Sequence, residues 1–177
     1  MPLIDGDLAE WPQELAVRPT NVIALVDHLH IDHRYFFSWD GRALYLAANI
    51  TSSSQEPPQP DRAWQGDYLA LRLSPVAPLN PHPADNSTIF IYPTGGGADK
   101  QQPLAARKSE PRRYHALALH AAKRRRPAGY TIEVRIPAEV VEDFREIPGG
   151  VWHLKLWYQN VGEIYQTSWE GIMTLDP

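Results

Sequence analysis

The sequence contains no cysteine and no long apolar run. Its 177 residues therefore lack disulfides, thiolate metal sites and cysteine nucleophiles. No stretch approaches the ~20 apolar residues that a membrane-spanning helix needs, and the start, Met1 to Asp5, lacks the basic and apolar regions of an export signal. We expect no direct membrane insertion by these residues. The length and the 43% hydrophobic content are typical of one globular domain spanning 1–177.

Helical periodicity is also scarce. Over 22–39, hydrophobic residues from Ile23 to Trp39 fall on one parity and polar residues such as Arg34 on the other, which predicts a strand with one buried face. Asp40-Gly41 predicts a tight turn into a second strand over 43–51. Only 138–145 has helical spacing. The pattern predicts an all-β fold, an antiparallel β-sandwich with one short helix. Two further half-buried strands are predicted from alternation over 68–73 and 130–136.

One hexamer, His28 to His33, matches the HxHxDH signature of metallo-β-lactamase-like hydrolases, in which histidines and an aspartate hold zinc. That fold alternates helices and strands, whereas this chain has little helical periodicity. His28 and His30 share the polar parity, so solvent-facing strand positions are the favoured interpretation. A metal-dependent hydrolase stays a distant alternative, and we expect a protein without enzymatic activity.

Five short motifs occur in order along nearly the whole chain: IDGDLAEWP (4–12), WDGRALYLAANIT (39–51), WQGDYLALRL (64–73), GYTIEVRIP (129–137) and SWEGIMTL (168–175). Together they resemble carbohydrate-binding module family 9 and the wider DOMON-like β-sandwich group. The resemblance implies a jelly-roll-like sandwich that binds a glycan and does no chemistry.

The resemblance also implies where the ligand binds. In that family two tryptophans clamp the terminal sugar, one just before the Asp of the middle strand and one just before the final strand. Trp64, three residues ahead of Asp67, and Trp169 match these positions. Trp11 and Trp39 lie inside structural motifs and are predicted to be core residues.

The polar part of the family's site is changed in this chain. Ala70 stands where the family often places a carboxylate, and the apolar run 89–91 replaces an expected arginine. Lys155 takes the place of a polar amide, with Gln159 and Asn160 close by as the nearest candidate partners for sugar hydroxyls. The identity of the ligand therefore cannot be carried over. Trp152 and Trp157 have opposite parity on one strand, so we expect one of them to face outward.

Basic residues are concentrated in one segment. Eight of the seventeen lysines and arginines lie in 107–126, against a single acid, Glu110. The interpretations are a solvated hairpin, with its arms around a strand over 114–119, or a contact surface for an anionic partner, which is a uronic-acid polysaccharide, a phospholipid surface or an acidic protein face. Nucleic acid is not expected, because only Tyr114 interleaves with the cluster to stack bases.

A glycan-binding function of this kind requires no cofactor. Structural calcium is conceivable at Asp5 and Asp7, or at Asp61 and Asp67, although such aspartates more often cap turns. Haem is a distant alternative, since Met1 and Met173 are the only thioethers. The second function class is an extracytoplasmic sensor or interaction domain of a larger membrane protein, such as a bacterial histidine kinase. In either case we expect an extracytoplasmic domain that belongs to a longer chain.

Overall fold

The fold is known from a computed structural model that describes residues 2–24, 31–52, 66–75, 87–93, 104–110, 113–116, 119–140, 151–161, 163 and 165–174. Within these residues the chain forms strands and short 3₁₀ helices, and no helix is long and apolar enough to cross a membrane. The strands are β1 (Asn21–Ala24), β2 (Arg34–Trp39), β3 (Ala43–Thr51), β4 (Tyr68–Pro75), β5 (Ser87–Tyr92), β6 (Leu104–Glu110), β7 (Arg113–Ala116), β8 (His120–Arg126), β9 (Gly129–Pro137), β10 (Val151–Asn160) and β11 (Tyr165–Thr174).

Two antiparallel sheets make up the sandwich. The large sheet has the order β1-β11-β10-β4-β5-β6-β7, and the small sheet has the order β2-β3-β9-β8. The main core lies between them and is built from the alternating residues that the sequence predicts, including Leu69, Leu71 and Leu73 of β4 facing Ile132 and Val134 of β9. The prediction of an all-β antiparallel sandwich is confirmed.

The predicted hairpin between β2 and β3 is confirmed in detail. Asp40 accepts hydrogen bonds at Oδ1 from the backbone N–H groups of Arg42 and Ala43, at 2.9 and 2.8 Å. Gly41 has a φ of 81°, a conformation that glycine adopts without steric cost. The turn closes the β2–β3 pair, whose register opposes Trp39 to Leu44.

The central strands of the small sheet, β3 and β9, are buried on both faces over most of their length, which the prediction of half-buried strands missed. The N-terminal segment 2–17 crosses its outer face and forms a second apolar cluster with Phe36, Tyr45 and Ala47. Glu133 is fully buried beneath this segment and accepts hydrogen bonds from the backbone of Asp5 and Gly6 and from the indole of Trp11, at 3.0, 2.6 and 2.6 Å. These three donors explain how a carboxylate is accommodated on a strand face covered by apolar residues.

Three local predictions differ from the structure. The single strand predicted over 22–39 is two strands in different sheets, because β1 pairs with β11 of the large sheet and β2 with β3 of the small sheet; 25–30 lie outside the described residues. Alternation predicts Ile23 of β1 to be buried, yet it is 58% exposed, because β1 is an edge strand whose one partner among the described strands is β11. The helix predicted over 138–145 is a single 3₁₀ turn, Ala138–Val140, among the described residues; 141–145 lie outside them.

Candidate functional site

Trp169 is half-buried on the inner face of β11, where it faces the small sheet. Its indole stacks on Phe37 of β2, with ring centroids 5.2 Å apart and an interplanar angle of 29°. Gly171 lies under the same ring, since a Cβ at that position would come within 2.3 Å of Trp169 Cζ2. Phe37 and Gly171 together hold the indole flat near the β1–β2 side of the sandwich.

Trp64, the other half of the predicted clamp, lies outside the described residues. Trp64 belongs to 53–65, and the described chain stops at Ser52 and resumes at Gly66. The Asn160 side chain bonds residues on both sides of this gap. Asn160 donates through Nδ2 to Ser52 Oγ at 2.8 Å and to Asp67 Oδ2 at 3.4 Å.

Asn160 is therefore a buried structural residue. Its side chain is 1% exposed, and its Oδ1 accepts the backbone N–H of Glu163. Asp67, which is fully buried, accepts the backbone N–H of Val161 at 2.7 Å in the same network. The prediction that Asn160 offers its amide to a ligand alongside Lys155 and Gln159 is not supported by this geometry, because Asn160 faces the interior.

Lys155 and Gln159 lie on the opposite, outer face of β10, with Trp157 between them. All three are half-buried. Gln159 accepts a hydrogen bond at Oε1 from the hydroxyl of Tyr68 at 2.8 Å, and the Lys155 ammonium is 3.7 Å from the carboxylate of Glu170. Lys155 and Gln159 therefore lie on the same face of the large sheet, and Trp169 lies on the opposite face.

Trp157 belongs to a small aromatic cluster on this outer face, which we call the aromatic face: Tyr68, Ala70, Phe90, Tyr92 and Trp157. The rings of Phe90 and Trp157 meet edge to face at 6.4 Å, and those of Tyr68 and Phe90 at 5.3 Å. Phe90 and Tyr68 are more than nine-tenths buried, so Trp157 is the member with an accessible ring surface. The expectation that one of Trp152 and Trp157 faces outward is confirmed, since Trp152 is fully buried.

The histidine hexamer does not assemble a metal site among the residues that the structure describes. His28 and His30 lie outside that part of the chain. His33 is 1% exposed and bonds at Nδ1 to Thr167 Oγ1 and at Nε2 to the Thr51 carbonyl, each at 3.1 Å. Burial lowers the pKa of His33 to about 4. Asp32 forms ion pairs with Arg18 and Arg34. Both residues therefore have structural contacts that account for them.

Two of the four aspartates considered for calcium, Asp5 and Asp7, cap turns. Asp5 accepts the backbone N–H of Asp7 at 2.7 Å, and Asp7 accepts that of Ala9 at 3.1 Å at the start of a 3₁₀ helix. Asp61 lies outside the described residues. Within the described ranges, no three His, Cys, Asp or Glu side chains are grouped as metal ligands.

The basic segment is divided between the two sheets. β6 and β7 pair at one edge of the large sheet, whereas β8, with Lys123 to Arg126, forms an edge of the small sheet. The predicted single projection with two basic arms around a strand over 114–119 is thus wrong. The crossover between the sheets, which follows β7, separates the two basic groups.

Comparison with known proteins supports the fold. No family model matches the sequence, and no curated protein matches it. Two solved structures of a carbohydrate-binding module family 9 from Caldicellulosiruptor kristjanssonii share the architecture. The structure in complex with glucose is 15% identical, with a TM-score of 0.57 over 95% of this chain and 81% of that chain. The structure in complex with cellotriose is 14% identical, with a TM-score of 0.57 over 95% of this chain and 79% of that chain. The chain therefore has a fold like that of carbohydrate-binding module family 9.

Proposed function

We propose that this protein is a non-catalytic carbohydrate-binding module that holds the end of a glycan between Trp64 and Trp169. Trp169 carries the proposal, because its indole keeps part of its surface exposed while contacts with Phe37 and Gly171 fix its orientation. The similar fold of the modules in complex with glucose and cellotriose supports a glycan as the ligand class.

A fixed indole favours sugar binding for a physical reason. A pyranose has an apolar C–H face that stacks on an aromatic ring, while its hydroxyl groups need directional polar partners. An indole that is already immobilised by packing loses little conformational entropy when the sugar binds. Gly171 is essential to this arrangement, since any side chain there would push the ring out of its plane.

Trp157 offers a different place for the same chemistry. Lys155 and Gln159 flank its ring, and both carry polar groups that can bind hydroxyls. Because these residues lie on the outer face of the large sheet and Trp169 on the inner face, one monosaccharide cannot contact both tryptophans. A test must therefore separate the clamp from the aromatic face.

The experiment is a glycan array followed by isothermal titration with cellotriose, using wild type, Trp64→Ala, Trp169→Ala and Trp157→Ala. Leu15→Ala is the control, since Leu15 is an exposed apolar residue (67%) remote from these tryptophans in the sequence. The folding of each variant is checked by its thermal midpoint. We expect affinity to fall at least tenfold, or about 1.4 kcal/mol, in Trp64→Ala and Trp169→Ala, and to be unchanged in Leu15→Ala.

Three outcomes would change the proposal. Loss of binding in Trp157→Ala alone would refute the clamp and move the site to the aromatic face. Equal loss in Leu15→Ala would indicate non-specific adsorption. The absence of binding to every glycan by folded wild type would contradict a carbohydrate-binding function and favour a sensor or interaction domain.

A further inference from the structure

An arginine-lined groove runs across the outer face of the small sheet, on the opposite side of the sandwich from the aromatic face. We call it the basic groove. Its cavity volume is about 1000 Å³, which is in the range of ligand sites. The N-terminal segment forms one wall through Gly6 to Ala9, and the β8–β9 hairpin forms the other through Arg124 to Gly129.

The floor of the groove is a row of side chains across all four strands. The strand registers oppose Arg34 to Asn49, Asn49 to Thr131, and Thr131 to Arg124. At about 4.8 Å per strand, this row places Arg34 and Arg124 roughly 14 Å apart at the backbone. The next row ends in Arg126, which opposes Gly129. Three arginines from two strands thus share this face of the sheet, namely Arg34, Arg124 and Arg126, whereas Arg125 opposes Tyr130 of the main core and points to the other face.

The acids of the groove neutralise only part of this charge. Asp7 pairs with Arg124 at 2.7 Å, and Asp32 with Arg34 at 3.2 Å. Arg126 donates to the neutral amide of Asn49 at 3.2 Å. Within the part of the chain that the structure describes, Arg126 has no carboxylate partner, and the Arg124–Asp7 pair is itself exposed, so it contributes little. Both arginines are exposed.

The groove also has the chemistry of a sugar-binding surface. Asn49 and Gln13 provide amides, Thr51 a hydroxyl, and Phe36 an apolar ring surface. Guanidinium groups bind carboxylates and sulfates through paired hydrogen bonds, which a lysine cluster does less well. A recessed groove fits an extended chain better than a flat membrane surface.

We propose that the basic groove binds an acidic oligosaccharide, with Arg124 and Arg126 contacting its carboxylate or sulfate groups. The glycan part of this inference rests on the proposed function, but the site is distinct from the tryptophan clamp. The protein then has two glycan subsites, a neutral one at the sandwich edge and an acidic one on the small sheet.

The test measures binding of four probes by isothermal titration at low salt: trigalacturonate, its methyl ester, a sulfated galactan tetrasaccharide and inorganic phosphate. The methyl ester keeps the shape of the sugar and removes the charge. The variant is the double change Arg124→Gln and Arg126→Gln. Its matched control is Arg42→Gln with Arg72→Gln, which removes the same charge from exposed positions outside the groove.

We expect trigalacturonate or the sulfated tetrasaccharide to bind at least about tenfold more tightly than the methyl ester or phosphate. The groove variant loses this preference, and the control variant keeps it. Which of the two acidic probes binds identifies carboxylate or sulfate as the recognised group. Added salt weakens the interaction, because partly exposed charge pairs are screened.

Other outcomes overturn the inference. Equal binding of acid and ester, equal loss in both double variants, or no binding of either acidic probe would each refute an acidic subsite in the groove. Cellotriose titrated into the same preparations keeps the two proposals apart. Cellotriose binding without acid binding leaves the clamp standing, and acid binding that depends on the groove arginines but not on Trp64 or Trp169, with no neutral glycan bound on the array, refutes the clamp alone.

Discussion

The buried histidine of the sandwich predicts a specific loss of stability in acid. His33 lies between the sheets, with Tyr35, Tyr158 and Tyr165 around its ring. The Thr51 carbonyl can only accept, so Nε2 carries the proton and donates to it, and Nδ1 accepts from a hydroxyl of Thr167 or Tyr35. The neutral imidazole satisfies both of its nitrogen atoms in this arrangement.

Protonation is opposed mainly by burial. Desolvation lowers the pKa of His33 from 6.5 to about 4, against smaller opposing effects of the Thr51 carbonyl and the carboxylates of Asp32 and Glu163. The unfolded chain therefore binds a proton more tightly than the folded chain. The free energy of unfolding falls as pH drops from about 6.5 to about 4. A shift of this size corresponds to about 3 kcal/mol in total, at about 1.4 kcal/mol per pH unit.

Urea unfolding at intervals between pH 8 and pH 4 measures this effect. Wild type is compared with His33→Gln, which lacks the titrating group, and with His120→Gln, which removes an exposed histidine on β8. The carboxylates contribute to the acid slope in all three proteins, so the difference between slopes isolates His33. We expect the slope of His33→Gln to be shallower than those of wild type and His120→Gln.

An unchanged slope in His33→Gln would refute the reasoning. If that variant fails to fold, the ring resonances of His33 in the wild type provide a second measurement by NMR. A titration midpoint near 6.5 would contradict the lowered pKa, whereas a midpoint near 4, or acid unfolding before the ring titrates, would agree with it.

Three further predictions follow from single contacts. Glu133→Ala removes the acceptor of three buried donors, and we expect urea unfolding to show a loss of about 3 kcal/mol; the same loss in the exposed Glu139→Ala would contradict the explanation. Gly129→Ala combines a φ of +146° with a Cβ only 2.0 Å from the Ile50 carbonyl, so it should lower the thermal midpoint more than Gly41→Ala, whose Cβ meets nothing within 4 Å. Gly171→Val should displace the Trp169 indole, shift its fluorescence and weaken cellotriose binding about tenfold; unchanged affinity would contradict the clamp.

Local patterns predicted the strands well because each pattern and its cause lie in the same few residues. The Asp40-Gly41 turn needs only a side-chain oxygen and a positive φ, and both are local. The burial of Glu133 depends instead on a segment more than 120 residues earlier in the chain. The alternation of apolar and polar residues in β9, taken alone, therefore predicts that the Glu133 side chain faces solvent. Ile23 is the opposite case: its apolar side chain fits a buried strand, but its strand is at an edge. Sequence periodicity identifies faces, and the sheet order decides what covers them.

The role of Asn160 near the proposed clamp also depends on residues that are distant in the sequence. Asn160, at the end of β10, was predicted to bind a ligand because amides suit sugar hydroxyls, yet its amide bonds Ser52 and Asp67. These two residues flank the segment that contains Trp64. Asn160 thus fixes the span between the ends of that segment, and the remaining bonds of Asp67 and Glu163 fix the network to the β10–β11 connection. Anchored ends reduce the entropy that a binding loop loses when it closes on a ligand. If Trp64 contacts the glycan, Asn160 acts as a positioning residue for it, through contacts that no local sequence pattern reveals.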